Sequence, residues 1–538
     1  MNKLTKIFLC ILLIISVTAC GNKQNGDVEN DEDKEEVKEI VYDVIETKEL
    51  DSFITQDNIY DSMDEANKRY GLFANKFLLS VIDENDNEIV SPLSVYYAMG
   101  LLANGAEGNT KAELETLLGM TVDDVNLYLK HVNDRYTKGI EAMFKTANSI
   151  WLNNGLGINL KKDYINKIDE FYGSCVYEDS FDDTNKIVDE VNKWASDNTE
   201  GGIDNILDAS SVNKNTPMLV LNALMSGDKW CLEFDEKETY KQTFYNRDET
   251  YGNVDMMHDT LSGYWHDDNS EGFVKELKNG INVVGILPNE GIDIYDFINT
   301  MSPTIFNDYI HGVIHNENYR ETTGVYWCIV DEHITNLSFP KFSYDKEYDL
   351  KTAFKKLGLK NIFDYTQCDF SGLAEGDEKV INELFVDDIK QKDTIRVDEK
   401  EVVAAAVTIV ELGLGSVGCK VDKYIYHDVT FDRPFIYALV SGNIPIFIGV
   451  VTNLGDPIDT PISGSPEGAI MKLTNISGLI NIRYSPSTKV EIVGGFEKGQ
   501  IVYAYESQEK EGYTWYRIGA NKWVANKNNE WIKVEPLN

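Results

Sequence analysis

One stretch in the C-terminal third, residues 397–418, constrains the fold of this chain more than any other. It passes from small and β-branched residues into a glycine-containing segment that ends at Gly418, and it contains no helix cap and no proline. Side chains alternate across a strand, so Glu401 and Glu411 would lie on one face. The opposite face would carry only apolar or small residues: Val402, Ala404, Ala406, Thr408, Val410 and Leu412. We therefore expect a segment that can enter a β-sheet as a strand.

A predicted hairpin follows this stretch. Phe431–Leu439 leads into Pro445–Val450, and both runs are apolar and rich in β-forming residues, as buried strands are. At this point the chain resembles the serpins, whose loop hinge typically reads Val-Asn-Glu-Glu-Gly-Thr-Glu-Ala-Ala-Ala-Ala-Thr and whose signature centres on a Pro-Phe such as Pro434–Phe435. Further serpin-like landmarks occur in serpin order at Ile89–Ser94, Gly105–Thr110, Leu221–Asn222, Gly227–Trp230, Met256–Met257, Phe339–Phe342 and Leu350–Gly358. The resemblance covers residues 64–454.

The resemblance implies an α+β class: a serpin fold with a large central mixed β-sheet, further sheets, about nine helices and an exposed reactive loop. Local patterns point to the same class. Apolar residues at helical spacing predict an amphipathic helix over 70–81, and Ser91 before Pro92 predicts a helix start. Thr110–Glu113 has the spacing of a capping box. Two short β-rich runs predict buried strands, Ile281–Leu287 and Val325–Val330.

The function implied by the resemblance is a protease trap rather than an enzyme. A serine or cysteine protease attacks the exposed loop, becomes acylated, and is carried away as the loop inserts into the main sheet. The hinge of that loop would be Glu399, Lys400, Glu401, Val402, Val403, Ala404, Ala405 and Ala406. Glu401 stands where inhibitory members usually have glycine, and Val402–Val403 replaces Thr-Glu. Because glycine frees the backbone during the first step of insertion, its loss would slow insertion and favour a substrate over an inhibitor.

The family's usual hinge-to-bond length places the scissile bond at Gly415–Ser416. The distance from there to Pro434–Phe435 is longer than usual, so the window extends over Leu412, Gly413, Leu414, Val417, Gly418, Cys419 and Lys420. Leu414 would suit chymotrypsin-like or subtilisin-like proteases, small residues elastase-like ones, and Lys420 a trypsin-like one. The sequence leaves these alternatives open.

The resemblance also implies structural roles for several other residues. Ser91, Ser94 and Asn222 match a polar cluster beneath the seam where the sheet opens, and Trp230 matches an aromatic residue at its top. Gln391 stands where many animal members have histidine, and its amide can still donate and accept hydrogen bonds. Ordinary core packing accounts for these residues as well as a switching role does.

The N-terminus predicts export. Residues 1–20 combine Lys3 and Lys6 with the apolar run Ile7–Val17, which is too short for an ordinary spanning helix and is typical of a secretory signal. Val17–Cys20 resembles a bacterial lipobox, in which Cys20 would be lipidated and hold the protein at the outer face of the membrane. The alternative is a soluble secreted protein. Residues 21–63 begin with an acidic segment of disordered composition, which predicts a tether.

A second domain is predicted beyond a linker at 455–468, which is rich in proline, glycine and serine. Residues 469–538 resemble bacterial SH3 modules, which suggests an SH3-like barrel that binds cell-wall or other peptides. Leu479–Thr488 carries the pattern of that family most clearly. The alternative is a spacer in which Tyr503, Trp515, Tyr516 and Trp523 are core residues.

Composition excludes several classes of function. The net charge of −40 over 538 residues argues against nucleic acid, whose phosphates need a positive surface. Gly413–Gly418 fits a dinucleotide fingerprint, but the strand-like Cys419–Tyr426 follows it instead of a helix. The cysteines have no disulfide or metal spacing. We expect a monomer without cofactor or metal that inhibits extracellular proteases. The alternatives are a non-inhibitory serpin and a wall-binding lipoprotein acting through its SH3-like domain.

Overall fold

The computed structural model describes most of the chain between Leu9 and Leu537. The described residues are 9–19, 50–55, 57–83, 86–138, 144–199, 201, 206–208, 212–311, 315–316, 331–402, 423–462, 464–466, 468–490, 492–496, 498–519 and 522–537. The predicted strand Val325–Val330 therefore lies outside them. So do Cys20, most of the predicted tether, and the loop residues 403–422.

Ten α-helices form in the described residues, most of them in the first half of the chain. They are α1 (Ile59–Val81), α2 (Pro92–Ala103), α3 (Gly108–Leu118), α4 (Val122–Tyr136), α5 (Lys162–Tyr172), α6 (Thr184–Asn198), α7 (Ile294–Thr300), α8 (Ile305–Ile310), α9 (Lys351–Lys356) and α10 (Glu378–Asn382). The predicted start of α2 is confirmed, because the Ser91 side chain accepts from the Ser94 N–H and Pro92 is the first helical residue.

The predicted capping box at Thr110 is wrong. Helix α3 begins earlier, at Gly108, so Thr110 lies within it. Its buried Oγ1 instead accepts a hydrogen bond from the Asp369 N–H at 2.9 Å. Glu113, the expected partner, accepts from the backbone N–H groups of Lys360 and Asn361. Both side chains thus fasten α3 to a distant segment, a contact that local spacing cannot reveal.

The strands before residue 460 build three large sheets and two short ribbons. They are β1 (Leu9–Ala19), β2 (Glu88–Val90), β3 (Phe144–Asn153), β4 (Ile158–Leu160), β5 (Cys175–Asp179), β6 (Met218–Ser226), β7 (Asp228–Lys229), β8 (Tyr240–Tyr245), β9 (Tyr251–Ser262), β10 (Trp265–His266), β11 (Ser270–Glu276), β12 (Ile281–Pro288), β13 (His315–Asn316), β14 (Asp331–Pro340), β15 (Phe342–Asp349), β16 (Ala374–Gly376), β17 (Leu384–Val397), β18 (Glu401–Val402), β19 (Lys423–Thr430), β20 (Phe435–Ser441), β21 (Ile444–Val451) and β22 (Asp456–Ile458).

The central sheet has six strands in the order β15-β17-β1-β6-β3-β5, and all neighbours are antiparallel except β3 and β5. A seven-stranded sheet runs β13-β10-β11-β12-β20-β21-β2. The five-stranded sheet runs β19-β14-β9-β22, with β8 also paired to β9. The predicted strand at Ile281–Leu287 and the predicted hairpin are confirmed as β12 and as the antiparallel pair β20–β21. Helices and mixed sheets together confirm the α+β class.

The main core lies between the central sheet, the seven-stranded sheet and the helices of the first third. Every residue of α2 is buried, so this helix occupies the middle of the domain. Four aromatic rings, those of Phe273, Phe339, Phe431 and Phe435, meet edge to face or tilted with centroids 5.0 to 5.4 Å apart. Within the described residues, no helix combines the length and the apolar character that a bilayer crossing needs.

In the C-terminal β domain, residues 469–537, the regular elements that the structure describes are all strands. They are β23 (Met471–Asn475), β24 (Ile480–Arg483), β25 (Ile492–Phe496), β26 (Ile501–Ala504), β27 (Glu506–Lys510), β28 (Tyr513–Gly519), β29 (Lys522–Asn526) and β30 (Ile532–Pro536). They form a three-stranded sheet, β26-β23-β30, and a five-stranded one, β25-β24-β29-β28-β27. Trp515, Tyr516 and Trp523 are buried within it, whereas Tyr503 reaches the body of the protein.

The contact between this domain and the body is built around Tyr240 on β8. Its hydroxyl donates to the Tyr503 hydroxyl at 3.0 Å, and its ring stacks on His258 with centroids 4.1 Å apart. The His258 Nδ1–H donates to the Glu238 carbonyl at 2.6 Å. Burial lowers the pKa of His258 to about 4.

Replacing His258 with Gln should flatten the acid dependence of stability. Unfolded His258 takes up a proton near pH 6.5, whereas folded His258 does so only near pH 4, so stability falls as the pH drops between these values. The wild type should therefore lose about 2 kcal/mol between pH 7 and pH 5 through this group, and H258Q should not. Urea unfolding at the two pH values measures the difference. The exposed His311→Gln is the control, and an unchanged slope in H258Q would contradict the assignment.

Candidate functional site: the seam of the central sheet and the base of the loop

The candidate site is the seam between β6 and β17, the line along which these two strands would meet if β1 were not between them. Strand β1 pairs antiparallel with both: Leu13 lies opposite Asn222 on one side and Gln391 on the other. The ladder extends over nine residues of β6 and ten of β17. The seam is thus wide enough for one extended segment and satisfies its backbone groups on both sides.

A polar cluster lies beneath the seam, where α2 begins. Ser94 Oγ donates to Asn222 Oδ1 at 2.5 Å, and Asn222 Nδ2 donates to Thr146 Oγ1 and to Asn148 Oδ1. Ser94 and Asn222 are fully buried, so these bonds replace all contact with water. The cluster joins the start of α2 to the middle of the central sheet.

Gln391 completes this cluster from the other side of the seam. Its Nε2 donates to the Ser91 carbonyl at 3.2 Å, while its buried Oε1 has no hydrogen-bond partner in the part of the chain that the structure describes. The structure therefore brings together four of the predicted residues, Ser91, Ser94, Asn222 and Gln391. They come from β6, β17 and the first turn of α2.

Asp393 is a functional candidate that sequence reasoning missed. It lies two residues after Gln391 on the same inward face of β17 and is fully buried, and neither of its carboxyl oxygens has a partner among the described residues. Burial, and next the negative charge of Glu88, raise the pKa of Asp393 well above its usual range. The alternation along β17 was the available signal, because it places a charged side chain in line with Ile389 and Ile395.

Glu88 is the second buried acid at the seam, and it is well bonded. It accepts from the Tyr348 hydroxyl at 2.5 Å, from the Asp83 N–H at 3.1 Å and from Lys346 Nζ at 3.4 Å. Burial nevertheless raises the pKa of the Glu88 carboxyl. Of these two acids, Glu88 is hydrogen-bonded and Asp393 has no partner among the described residues, so the folded sheet opposes the ionisation of Asp393.

The top of the seam is closed by Trp230. Its indole Nε1 donates to the Asp398 carbonyl at 3.0 Å, just after β17 ends. The ring is fully buried, lies edge to face with Phe234, and carries Lys275 Nζ over its face at 5.7 Å. Lys275 is held there by an ion pair with Asp259. Trp230 thus anchors the chain at the point where β17 leads into the predicted hinge.

The first hinge residues are fastened to the body. Lys341 Nζ lies 2.7 Å from Glu399 Oε2, and the Glu399 carbonyl accepts from the Phe234 N–H at 3.0 Å. Burial works against the charged Glu399 carboxylate, but its hydrogen bonds, chiefly that from Lys341, leave the pKa lowered. Lys400 forms an ion pair with Glu236, and the backbone of β18 pairs with β7.

The rest of the predicted loop lies outside the described residues. This holds for hinge residues Val403, Ala404, Ala405 and Ala406, and for the predicted bond Gly415–Ser416 with its window from Leu412 to Lys420. Chain direction still constrains it. The loop leaves from the end of β17 and returns at Lys423 on β19, the edge strand of the five-stranded sheet. Among the described side chains, no three His, Cys, Asp or Glu converge as metal ligands would, and Cys175, Cys231 and Cys368 are free thiols.

Replacing Asp393 with Asn should stabilise the protein increasingly as the pH rises. The unfolded carboxyl loses its proton near pH 3.9, whereas the folded one holds it to a much higher pH, so folding must retain a proton and stability falls above pH 3.9. Asn has nearly the same shape and does not titrate. Thermal unfolding at pH 5 and pH 8 measures the effect, with the exposed Asp345→Asn as control. A gain that does not grow with pH would contradict a protonated Asp393.

Comparison with known proteins adds independent evidence. Residues 68–454 match the family described as Serpin (serine protease inhibitor). Iripin-1 of Ixodes ricinus is 28% identical over 407 residues, covering 73% of this chain and 95% of its own. An uncharacterised serpin-like protein of Methanosarcina acetivorans is 27% identical over 361 residues, covering 66% and 78% of the two chains.

Solved structures show the same architecture. The native state of the thermophilic serpin tengpin superposes with a TM-score of 0.59 at 26% identity, covering 75% of this chain and 96% of that one. The family match spans well over half of the residues, and the fold and sheet order described above accompany it. The chain therefore belongs to the serpins, a family whose members are in general protease inhibitors.

Proposed function

We propose that this protein is a suicide-substrate inhibitor of serine or cysteine proteases. In this proposal a protease cuts the loop within the window 412–420, and the freed loop enters the seam between β6 and β17 as a central strand. One observation carries the proposal: the seam holds an extended segment, β1, with antiparallel ladders on both sides.

Length and direction both support the loop as an occupant of that seam. Strand β1 has 11 residues, and the segment from Val402 to Leu412 also has 11. The loop continues from the end of β17, so a loop that folds back along β17 runs antiparallel to it, as β1 does. Its inward face would carry only apolar or small side chains, and no buried charge would oppose insertion.

The free energy available is large on the scale of protein stability. Burying Val402, Val410 and Leu412 would contribute roughly 1.5 to 3 kcal/mol each. Each new ladder hydrogen bond would add roughly 0.5 to 1.5 kcal/mol. Insertion of the whole segment would therefore release an amount comparable to the roughly 5 to 15 kcal/mol that stabilises a typical domain. Such a difference can distort an acylated protease before its ester is hydrolysed.

The proposed export signal includes the strand that fills the seam, because β1 lies within residues 1–20. Residues 1–20 are proposed to be a lipoprotein signal, with lipidated Cys20 holding the protein at the outer face of a bacterial membrane. Removal of that signal would take away β1 and leave β6 and β17 without a strand between them. The exported chain would then hold a seam that is free for its own loop, and extracellular proteases would be its targets.

The residue at position 401 affects how fast the loop inserts, and therefore how efficiently the protein traps a protease. Insertion must break the Glu399–Lys341 and Lys400–Glu236 ion pairs and the β18–β7 pairing before any new ladder forms. Glycine at position 401 would ease this step by freeing the backbone. A slow hinge lets hydrolysis of the acyl-enzyme win the race, and the protein then becomes a non-inhibitory substrate.

Incubation of the chain from Gly21 to Asn538 with chymotrypsin, subtilisin, elastase, trypsin and papain should yield a covalent complex with at least one of them. A denaturing gel would show a band at the summed mass. Glu401→Gly should raise the fraction of complex over cleaved product, because faster insertion captures more acyl-enzyme. Glu411→Gly, which removes a like charge farther along the loop, is the matched control.

Cleavage without any complex, at every ratio of protease to inhibitor and in both E401G and the wild type, would exclude trapping. The melting temperature gives a second reading that does not depend on the right protease. Loop-cleaved protein should unfold at a higher temperature than intact protein, since it has gained a central strand.

A second candidate function belongs to the C-terminal β domain, which we propose to be an SH3-like module that binds cell-wall peptides. Its own buried core supports an independent module: it includes Leu473, Phe496, Val524 and Ile532. The chain from Gly21 to Asn538 should co-sediment with purified peptidoglycan, and the same chain ended at Leu454 should remain in solution. Equal sedimentation of both would contradict wall binding by this domain.

A further inference from the structure

A cleft of about 640 Å³ separates the C-terminal β domain from the five-stranded sheet. One wall comes from the body, from residues on and before β8 and from β9, β14 and β19. The other wall comes from β23, β26, β28 and β29 of the C-terminal β domain. Its volume lies within the roughly 300 to 1,000 Å³ of typical ligand sites. Apart from Asp259, whose ion pair with Lys275 supports Trp230 at the top of the seam, these residues are not part of the protease-trapping seam.

Specific contacts hold the two walls in place. The Tyr240 hydroxyl donates to the Tyr503 hydroxyl at 3.0 Å across the cleft. Three hydrogen bonds join the connecting segment to β8. The Thr243 N–H and Thr243 Oγ1 donate to the Ile462 carbonyl at 3.2 and 3.0 Å, and the Ile462 N–H donates to Thr243 Oγ1 at 2.6 Å. Strand β22 is paired with β9 at the start of the same segment. These contacts therefore fix the two walls of the cleft relative to each other.

The charges of the two walls differ in sign and in number. The body contributes the carboxylates of Glu233, Asp235, Glu238, Asp259 and Asp428, and the C-terminal β domain contributes the ammonium groups of Lys472 and Lys522. Asp259 forms an ion pair with Lys275, and one buried oxygen of Glu233 has no hydrogen-bond partner among the residues described. A formal excess of negative charge thus lines the cleft of a protein whose net charge is −40.

Three phenol rings, those of Tyr240, Tyr503 and Tyr505, lie among these carboxylates. Aromatic faces attract Lys and Arg side chains, and carboxylates pair with them. Strand β26, which includes Ile501 and Val502, is the edge of its three-stranded sheet and lines the cleft along its length. Extended peptides commonly bind along such an edge.

We propose that this cleft binds an extended basic peptide segment of a partner protein, with its Lys or Arg side chains on the body wall and its backbone along β26. The chain's own residues 21–49 do not fit, because Asp and Glu dominate them and would meet a wall of like charge. The cleft lies at Asp428 and Thr430, the end of β19 away from the loop. A protease at the loop and a peptide in the cleft can therefore be bound together.

Fluorescence anisotropy on the full chain tests this site. The probe is a fluorescein-labelled peptide of alternating Lys and Gly, and an alternating Glu and Gly peptide is the negative control. The triple variant Glu233→Gln, Asp235→Asn, Glu238→Gln should weaken binding of the basic probe about tenfold, which corresponds to about 1.4 kcal/mol. A matched triple variant on a remote surface, Asp163→Asn, Asp169→Asn, Glu375→Gln, makes the same change in net charge and should leave binding nearly unchanged.

A second pair of variants gives the opposite sign. Lys472→Gln and Lys522→Gln remove positive charge from the other wall and should strengthen binding of the basic probe. If the substitutions acted only by disturbing the structure of the cleft, both the acidic triple variant and the lysine variants would weaken binding. Equal weakening by the cleft triple and the remote triple would overturn the proposal in favour of general attraction to an acidic surface. Absence of saturable binding, or equal binding of the acidic peptide, would also overturn it. None of these outcomes depends on whether the protein traps proteases.

Discussion

The backbone ladder along β6 and β17 is the constraint on which the rest of the structure depends. Both strands present N–H and C=O groups toward the seam, and buried backbone groups of this kind must be paired. In the structure β1 pairs with them on both sides. Any form of the protein without β1 must either close the seam or admit another strand. A site that must be filled by an extended segment, beside a loop of matching length and direction, is the physical basis of the proposed trap.

The side chains beneath the seam fit this requirement. A core made only of aliphatic groups would close the sheet firmly, whereas here Ser94, Asn222 and Gln391 connect the strands through directional hydrogen bonds. Such bonds can be exchanged for new ones when a strand arrives, at little net cost. Asp393 adds, at the same depth, an acid that has no hydrogen-bond partner among the described residues, so its burial in this sheet favours the neutral form.

The C-terminal β domain is connected, through strand pairing, to the sheet that receives the end of the loop. It contacts β8 directly and β9 through β22, and β9 is paired with β14, which in turn pairs with β19. Strand β19 receives the chain as it returns from the loop. A peptide held between the domain and this sheet would therefore lie against the same sheet that receives the end of the loop. The inferred cleft and the proposed trap share a scaffold and, apart from Asp259, use separate residues.

The sequence by itself determined the α+β class, the start of α2 at Ser91–Pro92, the β20–β21 hairpin and the family landmarks. All of these rest on short-range periodicity, caps or motifs.

Only the tertiary structure decided which distant residues meet. Thr110 has the spacing of a capping residue, but its side chain accepts a hydrogen bond from Asp369. In the sequence Asp393 is one of several charged residues of β17, and only the folded structure shows that it is fully buried. Tyr240 and Tyr503 are separated by 263 positions, and no local pattern links them. The apolar run Leu9–Ala19 is typical of a secretory signal, yet its backbone pairs with β6 and β17. Local patterns specify how a segment can fold, whereas pairing across hundreds of residues depends on which unsatisfied groups the rest of the fold presents to it.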